Sequence, residues 1–89
     1  MITREITIIN KLGLHARAAA KLVKLSSSFE ANIDIEKDGQ KVNSKSIMGV
    51  MMLAASCGSN VTLYVDGADE DAAMDALSDL INRYFDEDE

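Results

Sequence analysis

The sequence predicts an α+β protein built as a two-layer sandwich, in which helices cover one face of a sheet. Two observations favour this fold class. Short stretches of alternating apolar and polar residues, typical of half-buried strands, are interspersed with longer stretches that repeat at helical spacing. The chain has 89 residues, of which 47% are hydrophobic, so we expect a single domain over residues 1–89 with a small core.

The first half of the chain predicts a strand, a helix and a hairpin. Alternation predicts a strand over residues 3–9, and the segment NKLG at 10–13 ends it. Helical spacing begins near Ala16 and stops in the serine run at 26–28. We predict that the helix has a solvated basic face formed by Arg17, Lys21 and Lys24. Its predicted apolar stripe consists of Ala16, Ala19, Ala20 and Val23, widened by Leu22, Leu25 and Phe29.

The remaining elements follow a similar pattern. Alternation around Ile33 and Ile35 predicts a second strand, and Asp38-Gly39 is a hairpin turn signal before a return strand at Gln40–Asn43. A short helix is predicted to start near Ser46, and residues 61–65 alternate as a further strand. A final helix follows the acidic residues 69–71, which suit the positive end of a helix dipole. The predicted order is β-α-β-β-α-β-α.

The charge distribution excludes a general nucleic-acid binder. The formal net charge is −6, and residues 66–89 contain ten acidic residues and one basic residue. Residues 10–25 carry four basic residues and no acidic residue, so the basic character is local. Such a patch indicates a module that meets an acidic surface or handles a small anion. The acidic ending at 86–89 is predicted to be a frayed, solubilising terminus.

Other function classes are disfavoured by what the sequence lacks. No apolar run approaches the about 20 residues of a membrane span, and the first residues have no signal-peptide pattern. With a single cysteine, Cys57, a cytoplasmic location is expected. There is no second histidine and no further cysteine at metal-ligand spacing, no nucleophile-elbow serine and no phosphate-binding loop for ATP. We therefore predict no metal and no cofactor.

His15 is the residue whose surroundings favour chemistry. It directly precedes the helix that begins at Ala16, where the first backbone N–H groups have no partner within the helix and attract anions. Histidine can carry a covalent intermediate, and the guanidinium of Arg17 can grip phosphate oxygens. The small residues Gly13 and Ala16 leave room for a partner. From the residues alone, an ordinary helix-terminal histidine is an equally good interpretation.

Two motifs lie in the first two-thirds of the chain: NKLGLHAR at residues 10–17 and KSIMGVM at residues 45–51. They resemble the active-site segment and the segment around the regulatory serine of the HPr-type phosphocarrier family, which belongs to the phosphoenolpyruvate-dependent phosphotransferase system. Chain length and element order agree, so the resemblance covers essentially the whole chain. It implies an open-faced sandwich with a four-stranded antiparallel sheet and three helices. The family usually has proline where this chain has Ala18, which leaves the sugar and nitrogen branches both open.

The resemblance implies a phosphoryl relay. Nδ1 of His15 would take a phosphoryl group from phosphorylated Enzyme I and pass it to a histidine on an EIIA-type acceptor, while Arg17 stabilises the group in transfer. Such a protein is a stoichiometric phosphocarrier without catalysis of its own, and we expect a monomer. Ser46 would be the site of an HPr kinase/phosphorylase. Independently of that role, Ser46 is predicted to cap the short helix.

An apolar surface for partner docking is predicted beside His15. Met48 and Ile47 are expected to face outward, because one helix stripe cannot bury them together with Met51 and Met52. The predicted partner-binding residues are Ala16, Ala20, Lys21, Lys24, Lys45, Ile47, Met48 and Met51. The alternative is a non-catalytic regulatory adaptor or ligand-sensing module on a ferredoxin-like or HPr-like fold. An RNA-binding module is disfavoured, because the strands lack stacking aromatics.

Overall fold

A computed structural model describes residues 1–87 and has the predicted order of elements. The strands are β1 (Ile2–Thr7), β2 (Asn32–Lys37), β3 (Gln40–Asn43) and β4 (Asn60–Asp66). The helices are α1 (Ala16–Ser27), α2 (Ile47–Met52) and α3 (Glu70–Asn82), followed by a 3₁₀ turn at Tyr84–Asp86. The element order β-α-β-β-α-β-α is therefore confirmed.

The four strands form one antiparallel sheet in the order β1-β4-β2-β3. The hairpin between β2 and β3 turns at Asp38 and Gly39, both at positive φ, and pairs Lys37 with Gln40. Strand β4 lies between β1 and β2 and pairs with both of them. The open-faced four-stranded sandwich is confirmed.

The core lies between the sheet and its helices. Alternate residues of β2 and β4 point to this side and are almost completely buried: Ile33, Ile35, Val61, Leu63 and Val65. Helix α3 packs on β1 and β4, and α1 packs against both α2 and α3. The other face of the sheet carries polar residues, among which Tyr64 donates a hydrogen bond to Glu36. One covered and one bare face agree with the strand alternation in the sequence.

Two details of the predicted elements are wrong. Strand β1 ends at Thr7 and not at Ile9, because Ile8 bonds to the loop before β4 through Ser59 and Gly58 and leaves the regular ladder. In α1 the buried residues are Ala18, Ala19, Leu22 and Ser26, while Ala16 and Ala20 are exposed. The buried face of α1 is thus rotated away from the predicted stripe. Alanine fits either side of a helix, so a run of alanines does not fix the rotation.

The prediction of a frayed acidic ending is also wrong for Asp86 and Glu87. The preceding Phe85 is fully buried, and the ammonium of Lys21 donates a 2.7 Å hydrogen bond to its carbonyl. The burial of an aromatic ring fixes this part of the chain against α1. The rest of the predicted frayed segment, Asp88 and Glu89, lies outside the described residues.

No helix within residues 1–87 is both long enough and apolar enough to span a bilayer.

Candidate active site at the start of the first helix

A tight loop sets the position of His15. Gly13 has φ +66° and donates its backbone N–H to the carbonyl of Asn10, while the Asn10 amide donates to the carbonyl of Gly13 at 2.8 Å. The next residue, Leu14, donates its N–H to the carbonyl of Ala55 at 2.8 Å. A Cβ at Gly13 would lie 2.5 Å from that same carbonyl oxygen. Only glycine therefore fits this close approach of the loop to the segment that follows α2.

His15 caps α1 with its backbone and its ring, as predicted. Its carbonyl accepts the first helical hydrogen bond from Ala19 at 2.8 Å, and its Nδ1 accepts the backbone N–H of Arg17 at 3.3 Å. A backbone N–H can only donate, so Nδ1 presents a lone pair in this arrangement. The hydrogen bond is long and therefore weak. The lone pair of Nδ1 is thus positioned beside the N–H groups that begin the helix and is available to an electrophile.

The other ring nitrogen of His15 faces the carboxylate of Glu87. The distance from Nε2 to Oε2 is 2.5 Å, and the side chains of His15 and Glu87 are 26% and 14% exposed. The amide of Asn10 donates to the second oxygen of Glu87 at 2.9 Å. The Asn10 hydrogen bond, followed by those of His15 and the charge of Lys21, holds the pKa of Glu87 below its usual value. Glu87 is therefore an ionised partner of the ring.

Arg17 lies exposed in the first turn of α1. Its backbone N–H donates to the ring of His15, while its guanidinium has no hydrogen-bond or ion-pair partner among residues 1–87. No acidic residue lies in the first turn of α1. A phosphoryl group at Nδ1 would thus meet helix N–H donors and a guanidinium, with no carboxylate on that turn to repel it.

The geometry supports a nucleophilic histidine that holds an anion at a helix start, and the comparison with known proteins agrees. A family model described as the phosphorylation site of the HPr component of the phosphotransferase system matches residues 2–83. The chain belongs to the HPr family of phosphocarriers. The observed fold is therefore that of the HPr family.

Individual HPr proteins are similar to the chain over its full length. The phosphocarrier protein HPr of Cupriavidus necator is 57% identical over 89 residues, which are 100% of both chains. A solved structure of HPr-C-His from Thermoanaerobacter tengcongensis superposes with a TM-score of 0.97 at 49% identity, with 100% of both chains covered. An HPr dimer from the same organism matches at a TM-score of 0.79 and 52% identity, over 92% of this chain and 94% of that one.

The second HPr motif also has the predicted local geometry. Ser46 is exposed and caps α2, because its Oγ accepts the backbone N–H of Gly49 at 3.2 Å and its carbonyl accepts that of Val50 at 3.0 Å. The prediction that Ser46 caps the short helix is confirmed. Its hydroxyl is at the surface, where a modifying enzyme has access.

An apolar surface is exposed on α2, and we call it the α2 surface. It consists of Ile47, Met48, Met51 and Met52, which are 40%, 74%, 43% and 64% exposed. Val50 is the buried residue of this helix and holds it against the core. The expectation that Met48 and Ile47 face outward is confirmed. Ala16 and Ala20, on the neighbouring helix α1, are exposed as docking residues need to be.

The predicted basic residues differ in how firmly the structure holds them. Lys24 is exposed, whereas Lys21 and Lys45 are half-buried and donate to the carbonyls of Phe85 and Phe29. These two ammonium groups therefore also form intramolecular hydrogen bonds that stabilise the fold. Their charges remain near the surface while part of their hydrogen bonding is used internally.

Two residues of the site were missed by the sequence analysis. Asn10 was placed in a strand-ending turn and in the HPr-like segment 10–17 but was given no role, and Glu87 lay in an acidic run. Asn10 is fully buried, which is unusual for an amide and points to an internal role. Its position as the first residue of the HPr-like segment 10–17 was the one available signal. For Glu87 nothing local distinguished it from its acidic neighbours.

Proposed function

We propose that this protein relays phosphoryl groups: Nδ1 of His15 accepts one from phosphorylated Enzyme I and passes it to an EIIA-type acceptor. The observation that carries the proposal is the lone pair of Nδ1, held at the start of α1 by one long hydrogen bond from Arg17. The protein acts stoichiometrically, since the same nitrogen accepts and then releases the group. We place this relay in the cytoplasm.

Arg17 is proposed to stabilise the phosphoryl group while it moves. Arg17 is exposed two residues after His15, and its guanidinium has no partner within residues 1–87 that competes for its donors. Planar paired donors match phosphate oxygens, and the transferring group spreads its negative charge over those oxygens. The free guanidinium supports this assignment.

The direct test is labelling by Enzyme I and phosphoenolpyruvate. We expect an adduct that is labile in acid and stable in base, and no adduct on His15→Ala. The matched control is Ser27→Ala, which alters an exposed residue at the other end of α1 and leaves the imidazole in place. Equal labelling of His15→Ala and the unaltered protein would contradict the relay. Circular dichroism of each variant separates loss of the acceptor from loss of the fold.

The α2 surface is proposed to dock these partners. Flexible methionine side chains adapt to more than one partner surface, and the exposed Lys24 adds a charge suited to an acidic partner. The carrier has to meet a donor and an acceptor with the same histidine, so one adaptable surface serves both. Binding of Enzyme I to Met48→Ser, compared with Met1→Ser at a methionine that is also exposed, tests this assignment. Equal weakening by both substitutions would contradict it.

We propose that phosphorylation of Ser46 regulates partner binding at the α2 surface. Phosphorylation by an HPr kinase/phosphorylase would place a charge of about −1.5 to −2 beside the α2 surface and repel an acidic partner. Ser46→Asp should therefore weaken transfer from Enzyme I. Ser46→Asn is the control, because asparagine also caps a helix start and adds no charge. If the two variants transfer equally slowly, the loss of the serine side chain explains the effect and the charge does not.

A monomer remains our expectation for the free protein. Because a solved HPr dimer is among the similar structures, sedimentation over a range of concentrations is the measurement that decides it. The non-catalytic adaptor is not favoured, since docking alone requires neither an available imidazole lone pair nor an uncommitted guanidinium beside it.

A further inference from the structure

The segment after α3 brings a carboxylate to the ring of His15 along a well-anchored path. Tyr84, Phe85 and Asp86 all have positive φ, and this turn reverses the chain after the helix. Phe85 is buried in the core, and Lys21 of α1 binds its carbonyl at 2.7 Å. Positive φ at three consecutive non-glycine residues is uncommon and costs conformational energy. Because of this turn, Glu87, two residues after Phe85, lies within hydrogen-bond distance of Asn10 and His15.

Glu87, Asn10 and His15 form one connected unit. The Asn10 amide uses one hydrogen on the carbonyl of Gly13 and the other on Oε1 of Glu87, at 2.8 and 2.9 Å. Both of these partners are acceptors, so the orientation of the amide is fixed by its hydrogen bonds. The second oxygen of Glu87 lies 2.5 Å from Nε2 of His15. The loop that carries His15 therefore also holds the carboxylate that contacts its ring.

The two ring nitrogens of His15 consequently have opposite partners. A carboxylate can only accept, so Nε2 carries a proton toward Glu87, and Nδ1 faces the N–H donor of Arg17 and carries none. Moving the proton to Nδ1 would set two donors against each other at Nδ1 and leave a lone pair facing a carboxylate at Nε2. Both contacts favour the same neutral tautomer.

We propose that Glu87 is a positioning residue that keeps the proton of His15 on Nε2, so that Nδ1 is the nitrogen that accepts the phosphoryl group. The proposal deepens the proposed function and rests on it. Glu87 touches the ring on the side away from the reacting atom, as the buried carboxylate does in a carboxylate–histidine pair of a hydrolase.

The proton on Nε2 matters in both directions of transfer. In the forward step the lone pair of Nδ1 forms the P–N bond while the bond to the donor breaks and its electron pair stays on the donor. The ring then carries a positive charge, which the carboxylate of Glu87 offsets. In the onward step the P–N bond breaks and its electron pair returns to Nδ1. Because Nε2 has kept its proton, the leaving group is neutral imidazole and not imidazolate, so no proton has to move.

The first test reads the tautomer directly in the unphosphorylated protein. The ¹⁵N chemical shifts of the two ring nitrogens are measured for the neutral form of His15. We expect Nδ1 and Nε2 to differ more than in free histidine, and the difference to shrink toward that of free histidine in Glu87→Ala. Asp86→Asn is the matched control, because it removes a neighbouring carboxylate that contacts Arg83 and not His15. An unchanged shift difference in Glu87→Ala would overturn the proposal.

The second test reads which nitrogen reacts, with phosphoramidate as a small donor that needs no partner protein. We expect ³¹P NMR to show phosphorylation at Nδ1 in the unaltered protein and a substantial Nε2 product in Glu87→Ala. The same distribution in both proteins would contradict the proposed role. Because neither test uses Enzyme I, a failure of the relay shows up separately, as absence of labelling by Enzyme I in the unaltered protein.

The rate of onward transfer separates positioning from simple docking. Starting from phosphorylated protein, we expect Glu87→Ala to transfer roughly 10-fold more slowly, as is common when a partner that orients a histidine is removed. The transfer rate of Glu87→Gln should lie between those of Glu87→Ala and the unaltered protein, because the glutamine amide keeps a hydrogen-bonding group at the ring but carries no charge. If Glu87→Gln keeps the proton on Nε2 and still transfers as slowly as Glu87→Ala, the charge of Glu87 does not assist onward transfer.

Discussion

Helices α1 and α3 begin in contrasting ways. Each is preceded by an ionisable side chain, His15 for α1 and Asp69 for α3. At α3 the carboxylate of Asp69 makes no cap within its own helix. Its two oxygens accept the backbone N–H groups of Glu30 and Ala31, both at 2.9 Å, and so join α3 to the turn before β2. At α1 the ring of His15 accepts one long hydrogen bond at Nδ1.

The difference separates a helix start with a structural role from the one at which we propose that the phosphoryl group is bound. The first turn of α3 contains Glu70 and Asp71, whose charges satisfy the helix dipole. The first turn of α1 contains no acid, so its N–H donors and the guanidinium of Arg17 remain for an incoming anion. Both carboxylate oxygens of Asp69 accept backbone hydrogen bonds, which stabilises the fold. Nδ1 of His15 accepts only one long hydrogen bond, so its lone pair remains accessible to a phosphoryl group. Four substitutions test how far this contrast holds.

The largest effect is expected from Gly13→Ala, which disturbs the entry to α1. The new methyl group would meet the carbonyl of Ala55 at 2.5 Å while φ stays positive, so we expect a loss of about 3 kcal/mol in the free energy of unfolding. Gly39→Ala is the matched control, because it also has positive φ but no atom within 4 Å of the new group. It should lose about 1 kcal/mol. Equal losses in urea denaturation would show that contact with Ala55 does not matter.

Arg17→Ala tests whether the reactive helix start depends on the guanidinium. We expect transfer from Enzyme I to slow by about 100-fold, the usual cost of removing a donor that stabilises charge in a transition state. Thermal unfolding should be unchanged, because the side chain has no partner within residues 1–87. Arg17→Lys should recover part of the rate, since it restores charge without the paired donors. A normal rate in rapid-quench experiments on Arg17→Ala would remove Arg17 from the mechanism.

Asp69→Asn tests the structural helix start. The hydrogen bond from Glu30, followed by that from Ala31, lowers the pKa of Asp69, so its carboxylate stabilises the fold above the pKa it has in the unfolded chain. That contribution is lost as the pH falls through the lowered pKa. The variant should therefore melt below the unaltered protein at neutral pH, with the gap closing below about pH 4. Labelling of His15 should not change.

Asp75→Asn serves as the control for Asp69→Asn. Asp75 makes only an exposed ion pair with Arg4 at 3.8 Å, so its replacement should barely move the melting temperature. If the two variants melt alike at every pH, the backbone hydrogen bonds of Asp69 are not what stabilises α3.

The smallest effect is expected from Lys24→Glu, farther along α1. Reversing one exposed charge should weaken binding of Enzyme I by roughly 3-fold at low salt and less at physiological salt. Lys41→Glu is the control, because Lys41 belongs to β3 and lies over the ring of Tyr64 at 4.0 Å. Titration calorimetry at two salt concentrations makes the comparison. Equal weakening by both variants would indicate a response to net charge and not to a local basic surface.

Local patterns predicted much of this molecule. Period-two alternation located β2 and β4, the Asp38-Gly39 turn located the hairpin, and the junction before Ala16 placed His15 at a helix start. Each of these features depends on neighbouring residues, which a sequence displays directly. The prediction of the α1 buried stripe was wrong in part, because the alanines from 16 to 20 differ little in what they gain by burial.

The partners of His15 were not predictable in the same way. Glu87 is 72 residues from His15 in the sequence and contacts its ring. It does so because Phe85 is buried and the turn at residues 84–86 has positive φ. Nothing in the composition of an acidic ending distinguishes a carboxylate that contacts a histidine from one that is solvated. The fold had to be formed before this contact was visible.

The hydrogen bond between Leu14 and Ala55 has a mechanical consequence. It braces the residue before His15 against the segment that leaves α2, where Leu53 is buried and Ala54 has positive φ. A partner that binds the α2 surface would therefore contact a helix whose following segment is hydrogen-bonded to the residue directly before His15. Hydrogen–deuterium exchange of the Leu14 amide would therefore report structural changes at the start of α1 and at the end of α2.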